Sequence, residues 1–114
     1  MTIANFTQHA PHPWFAVADD KLMIGDRSVA DLAAQAGQTP FYVYDRSVMT
    51  RKMRELRAVL PPQVHVHYAM KANPMPAVVR HMLELVDGLD VASAGEMQVA
   101  LDAGAAPTLV SFAG

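Results

Sequence analysis

Lys71 stands where an apolar strand gives way to a turn, in the run His67-Tyr68-Ala69-Met70-Lys71-Ala72-Asn73-Pro74. A parallel strand buried on both faces delivers its C-terminal residue to the open mouth of an α/β sheet or barrel, where ligands bind and catalytic groups gather. An amine held there in a partly dry site loses some of its preference for charge. That raises the fraction able to attack an aldehyde and form a Schiff base. The bland alternative is a strand-end lysine whose stem lies along apolar surface while its head reaches water. Position alone favours that alternative, and the neighbouring residues turn the balance.

Side chains alternate along a strand, so His65, His67, Ala69 and Lys71 point one way and Val64, Val66, Tyr68 and Met70 the other. The second set suits packing under helices. Ala69 is small and leaves room for a flat ligand beside the amine. Asp90 ends the polar side of the next strand, with Leu89 and Val91 facing the helices, so adjacent strands bring its carboxylate near Lys71. It would orient the lysine and hold its proton; a structural ion pair would have the same spacing. Glu96 follows Ser93 at capping-box spacing, and a capping role and a place near the lysine can coexist. His65 and His67 lack a third ligand at a recognisable spacing, so they read as buried or mouth-lining histidines and no metal site is expected. His9, His12 and His81 have no supporting context, and no Ser-His-Asp arrangement, Walker loop or H-E-x-x-H helix occurs.

The elements that must position these residues follow from periodicity and punctuation. An irregular arm spans residues 1 to 15. Lys21 to Ile24 reads as a short strand ending in the turn Gly25-Asp26, and Ser28 with Asp31 starts a helix whose inner face is Val29, Leu32, Ala33 and Ala36 and whose end is Gly37. Phe41-Tyr42-Val43-Tyr44 reads as a strand, with Asp45 capping the helix after it. Met49, Met53, Leu56 and Leu60 form the buried stripe of that helix. Arg46, Arg51, Lys52, Arg54 and Arg57 form its solvated face, and Pro61-Pro62 ends it.

The next strand is expected over Val64 to Lys71. Asn73 and Pro74 then serve as N-cap and first helical residue, Val78, Val79, Met82, Leu85 and Val86 as the helix face, and Gly88 as its close. Leu89 to Ala92 is the following strand, with Met97, Ala100 and Leu101 on the inner side of its helix and Gly104 at the helix end. Thr108 to Phe112 begins one more strand. Consecutive βα units of this kind predict a parallel sheet and the architecture of a TIM barrel. The rival doubly wound sheet lacks a G-x-G-x-x-G after its first strand.

The chain has 114 residues, 52% of them hydrophobic and 18% charged, enough for one small core. A net charge of -2 gives no general attraction for nucleic acid or anionic lipid. The absence of cysteine excludes disulfides and thiolate metal sites. Residues 1 to 15 contain no Lys or Arg and no apolar run of signal or membrane-spanning length, so a cytoplasmic location is the expectation. Three or four βα units cannot close an eight-stranded barrel of roughly 250 residues, so the chain reads as a truncated part of one.

The runs Tyr42-Val43-Tyr44-Asp45, Tyr68-Ala69-Met70-Lys71-Ala72-Asn73, Asp90-Val91-Ala92-Ser93 through Glu96, and Phe112-Ala113-Gly114 occur in this order. With them the chain, from about Leu22 onward, resembles the N-terminal part of the fold-type III pyridoxal-phosphate-dependent decarboxylases of ornithine, arginine, lysine and diaminopimelate. The strand and helix before Thr39-Pro40-Phe41 look most like the diaminopimelate branch. The wording from Tyr68 through Val79 looks like a subgroup found with exosortase and exopolysaccharide gene clusters.

The resemblance implies an alanine-racemase-like (β/α)8 barrel, with residues 1-38 as an N-terminal arm bearing a short strand and helix and 39-114 as the first βα units of the cofactor-binding barrel. It implies that Lys71 forms a Schiff base with pyridoxal 5'-phosphate, that Asp90 and Glu96 are its acidic partners, and that Ala69 and Asp90 line the cofactor pocket. The substrate would be a basic amino acid or diaminopimelate, and the full-length protein a homodimer. The family's glycine-rich phosphate loop, acidic partner of the pyridine nitrogen, ring-stacking histidine and C-terminal β-domain do not occur in this sequence, so the chain by itself is expected to be inactive. The alternatives are an amino-acid racemase, a non-enzymatic pyridoxal-phosphate carrier on the same fold, or an inactive fragment. The racemase pattern Tyr-Gly-His-Gly after Lys-Ala-Asn is replaced here by Pro74-Met75-Pro76-Ala77.

Overall fold

The computed structural model describes residues 13–113, so His9, His12 and Gly114 and most of the N-terminal arm lie outside the described residues. The chain divides into two compact units, Met1–Val43 and Tyr44–Gly114.

The first unit is built from local signals. Strands β1 (Val17–Ala18) and β2 (Lys21–Ile24) pair antiparallel through a two-residue turn in which Asp19 and Asp20 have φ of 51° and 57°. Positive φ at both central residues gives a turn whose twist matches that of paired strands. Strand β3 (Arg27–Ser28) pairs with β2 across Gly25-Asp26, and Gly25 has φ 62°. Ser28 then caps helix α1 (Val29–Ala36): its hydroxyl accepts from the Asp31 N–H at 3.1 Å and donates to Asp31 Oδ2 at 2.7 Å. Gly37 closes the helix at φ 73°, as its spacing predicts.

Residues 41–45 form no strand, contrary to the reading of Phe41 to Tyr44. β-propensity describes how well a side chain fits a paired, pleated surface, and no described segment pairs here; Tyr42 is 93% exposed.

The second unit opens at Asp45, whose carboxylate accepts from the Ser47 N–H at 2.8 Å and caps helix α2 (Arg46–Val59). The Met stripe is buried only where a partner helix faces it: Met53 is buried and Met49 half-buried against Val78 and Met82, while Leu56 is exposed. The solvated-face reading fails at Arg57. Its guanidinium pairs with Asp87 at 2.8 Å and donates to the Leu85 carbonyl at 3.2 Å, tying α2 to the start of the sheet.

Strands β4 (His67–Ala69), β5 (Gly88–Val91) and β6 (Val110–Phe112) form one parallel sheet in chain order, with Tyr68 opposite Leu89, Ala69 opposite Asp90 and Asp90 opposite Ser111. Helices α3 (Pro76–Leu83) and α4 (Ala94–Asp102) connect them. The chain thus has the consecutive βα order expected, as a partial α/β fold. The first strand is shorter than Val64 to Lys71: Val64 and His65 are unpaired, and Met70–Ala72 tightens into a 3-10 turn. The last begins at Val110, because Pro107–Leu109 is also such a turn.

Three boundary residues differ from the sequence reading for steric reasons. Pro76 rather than Pro74 is the first residue of α3. A residue before proline is pushed out of the helical region, and Met75, at φ -56° and ψ 126°, cannot belong to a helix begun at Pro74. Asn73 instead receives the Met75 N–H on its side-chain oxygen at 3.0 Å. Gly88 does not close α3, which ends at Leu83; it is the first residue of β5. Glycine stands there because a Cβ would lie 2.7 Å from the Leu109 carbonyl oxygen and 2.8 Å from the His67 ring.

Met70, Val79, Leu89, Val91, Ala100 and Ala105 form the main core, and Tyr68 and Val86 pack against both this cluster and the Met53 cluster. On α4, Met97 and Ala100 face inward as expected, but Leu101 is exposed and Ala103 and Ala105 take its place.

Candidate functional site

The sheet sorts its side chains as the alternation requires. Met70 is fully buried and Val66 and Tyr68 are half-buried, whereas His65, His67 and Lys71 are exposed. Lys71 sits in the 3-10 turn rather than on β4, yet it remains on the Ala69 side, because Met70 stays anchored in the core. Ala69, Lys71, Asp90, Val91, Ala92 and Ala113 line one recess of about 310 Å³, open solvent included. Apart from Lys71, Asp90 and Val91, its walls are alanines.

Of the predicted site residues, the structure therefore brings Lys71, Ala69 and Asp90 together at the C-terminal ends of β4 and β5. Asp90 has a partner that the sequence reading did not assign to it: His67 Nδ1 lies 2.9 Å from Asp90 Oδ1. The signal was present in the alternation, which put His67 two residues below Ala69 on the same face. What was missing was the register, His67 opposite Gly88 and Ala69 opposite Asp90, which makes His67 and Asp90 diagonal neighbours.

Glu96 is outside the recess lining. Its N–H is received by Ser93 Oγ at 3.1 Å, so Ser93 caps the helix, while the Glu96 carboxylate accepts from the N–H of Ala92, the residue before the cap, and meets the recess lining there.

The supporting polar groups are satisfied by strand and helix ends. Asp87 accepts from the Val66 N–H at 2.7 Å and returns its own N–H to the Val66 carbonyl at 2.8 Å, adding a rung below β4 and β5. Hydrogen bonding from Arg57 and from Val66, with the attraction of Arg57 added, holds the Asp87 carboxyl below its ordinary value. Hydrogen bonding from Ser47 does the same for Asp45. Burial pushes the Tyr68 phenol upward. Its hydroxyl donates to the Asn73 carbonyl at 2.8 Å and pins the turn that carries Lys71.

A larger cleft of about 660 Å³, open solvent included, is lined by Tyr44, Met49, Met53, Tyr68, Val78 and Met82 among others. It has no carboxylate in its walls, whereas the smaller recess pairs Lys71 with Asp90 in its lining. Among the described residues no group of three or more His, Asp or Glu could hold a metal ion.

A lysine in the turn after β4 and a carboxylate on β5 thus share one alanine-lined recess of a parallel sheet. Residues 46–114 match the family described as pyridoxal-dependent decarboxylase, pyridoxal binding domain. The chain belongs to this family, and its matched region is that pyridoxal-binding domain. It is 34% identical over 103 residues to a diaminopimelate decarboxylase of Aquifex aeolicus, covering 90% of this chain and 24% of that protein. It is 35% identical over 104 residues to that of Zymomonas mobilis, covering 88% and 24%. A crystal structure of an Aquifex aeolicus protein aligns at a TM-score of 0.78 with 34% identity, covering 90% of this chain and 25% of that one. A diaminopimelate decarboxylase from M. jannaschi shares the fold at a TM-score of 0.71 and 24% identity, over 89% of this chain and 25% of that one. The chain thus spans about a quarter of the length of the curated relatives named here.

Proposed function

We propose that this chain supplies the cofactor lysine of a pyridoxal-phosphate-dependent amino-acid decarboxylase, with Lys71 as the residue that holds the cofactor covalently. The observation that carries this reading is the shared recess of Lys71 and Asp90 on a domain of the pyridoxal-binding family. Pyridoxal phosphate, when bound, supplies the electron sink that loss of an amino acid's carboxylate requires. The chain's own residues do the rest. Lys71 Nζ must shed a proton before it can attack a carbonyl, and Asp90, the carboxylate that shares its recess, is our candidate to steer the ammonium and receive that proton. Ala69 keeps the space beside the amine free for the ring. Glu96 fixes the Ala92 end of β5, which borders the ring space, and so supports the site as an acidic neighbour one step removed.

The relatives named diaminopimelate decarboxylase support diaminopimelate or a basic amino acid as the substrate. They disfavour a racemase. Our reading of the intact protein is a complete (β/α)8 barrel of the alanine-racemase type, with residues 1-38 as its arm and a cytoplasmic homodimer as its working form; its exosortase-associated branch rests on the wording from Tyr68 through Val79 alone. The three consecutive parallel strands suit the start of such a barrel, and among the described residues no helix is long and apolar enough to cross a membrane.

Borohydride reduction in the presence of pyridoxal phosphate, followed by peptide mass mapping, tests the assignment. The adduct is expected on Lys71 and is expected to disappear in Lys71→Ala. Labelling centred on Lys21 or Lys52 instead would overturn it.

A further inference from the structure

We propose that Tyr68 is a positioning residue: through its hydrogen bond to Asn73 it fixes the turn that presents Lys71 to the recess. The inference deepens the reading of Lys71 as the cofactor lysine and rests on it. Tyr68 and Lys71 belong to opposite sides of the chain. Tyr68 packs against both apolar clusters on the helix side of the sheet and takes no part in the recess lining, whereas Lys71 lines the recess. The phenol therefore acts on the lysine from behind, through the backbone.

The turn Met70–Ala72 has three residues and no side-chain cap at its start. A 3-10 turn this short has poor hydrogen-bond geometry of its own, so its position depends on its ends. Met70, fully buried, anchors the beginning. At the far end Ala72 and Asn73, together with Tyr68, line the cleft of about 660 Å³ rather than packed core. Packing thus holds Met70, and the bond from Tyr68 Oη to the Asn73 carbonyl, at 2.8 Å, ties the other end of the turn back to the sheet. The Asn73 side chain receives the Met75 N–H at 3.0 Å, which carries the restraint on to the start of α3. Lys71 and Ala72 are then the residues between a buried anchor and a hydrogen-bonded one. Core packing of the Tyr68 ring places its hydroxyl, and burial pushes the phenol upward, so the group stays a donor across the neutral range. A lysine has a long, flexible stem. Holding its Cα removes one source of the disorder that the amine must lose when it bonds to a carbonyl.

Tyr68→Phe keeps the ring and removes the hydroxyl, and 4-aminophenylalanine at residue 68 restores a donor in the same place. Amide hydrogen exchange followed by NMR, without pyridoxal phosphate, reads the turn. In Tyr68→Phe the amides of Lys71 to Asn73 and of Met75 should exchange about fivefold faster, the scale of one neutral hydrogen bond, while those of Leu89 and Val91 keep their rates. The 4-aminophenylalanine protein should return most of the way to wild type. Unchanged exchange in the turn, an equal rise at Leu89 and Val91, or a donor variant no better than Phe would overturn the proposal. Borohydride trapping at limiting pyridoxal phosphate reads the amine: the initial rate at Lys71 should fall about fivefold in Tyr68→Phe and recover with the donor, while Lys21 keeps its rate. Trapping of Lys71 as fast in Tyr68→Phe as in wild type also overturns it. A wild-type protein not trapped at Lys71 at all counts against the cofactor assignment alone, since hydrogen exchange still decides whether Tyr68 holds the turn.

Discussion

The two units of this chain are held by different means. In Met1–Val43 the strands pair over two residues at a time, α1 has no buried residue, and among the described residues of this unit the one buried is Ser28, at 5% exposure. In Tyr44–Gly114, Met70, Val79, Leu89 and Ala100 are fully removed from water, and the parallel ladder joins residues about twenty apart in sequence. The first unit follows turn and cap chemistry, which acts within a few residues. The second depends on burying one face of a short sheet, through Met70, Leu89 and Val91, under its helices. The candidate site belongs to the second because a lysine in the turn after one strand and a carboxylate on the next can be held side by side only by such a core.

Substitution at matched positions tests that contrast. Leu89→Ala, in the fully buried strand, should cost about 3 kcal/mol by lost transfer energy and cavity formation. Leu22→Ala, on β2 at 48% exposure, should cost under about 1 kcal/mol. Urea unfolding of both variants measures the difference, and equal losses would erase the contrast.

Glycines sharpen it. A Cβ at Gly88 meets the Leu109 backbone at 2.7 Å, so Gly88→Ala should destabilise by about 2 kcal/mol through overpacking. Gly37, at φ 73°, has open space for 4 Å around the position a methyl would take, and its Ala variant should lose about 1 kcal/mol from backbone strain alone. The Gly88 variant should also disturb the His67 imidazole signals in NMR, and the Gly37 variant should not.

The smallest effect is expected with acid. Asp45 and Asp87 both have depressed carboxyl values in the folded second unit. Their contribution is therefore complete above the ordinary aspartate value of about 3.9 and is lost as the pH falls below it through the folded values. Thermal melts of wild type and Asp87→Asn should differ at neutral pH and converge in strong acid. A constant gap across the range would show that Arg57 and Val66 do not hold Asp87 as a carboxylate.

Much of the fold and part of the candidate site were legible in the chain. Ser28, Asp45 and Ser93 announce helix starts because a cap needs only a short side chain beside an unpaired N–H. Gly37 and Gly104 mark helix ends because a left-handed φ favours glycine. The alternation around Tyr68 and Met70 put Lys71 and Ala69 on the Asp90 side. The failures share a cause. Phe41 to Tyr44 has the composition of a strand but no paired neighbour, and Leu56 and Leu101 have the period of a core but nothing facing them. Gly88 reads as a helix stop until the His67 ring and Leu109 are beside it.

By itself, then, the sequence determined what acts within one turn of helix or one pleat of strand: caps, helix ends, and the face that Lys71 shares with Ala69. Tertiary structure decided what depends on a second strand. It shortened β4 so that Lys71 rides on a turn anchored by Met70, and it set the register that joins His67 to Asp90. It also gave Glu96 to the backbone of Ala92. The physical reason is that side-chain direction is fixed by the local backbone, whereas a partner is fixed only when buried side chains hold two distant segments in one register.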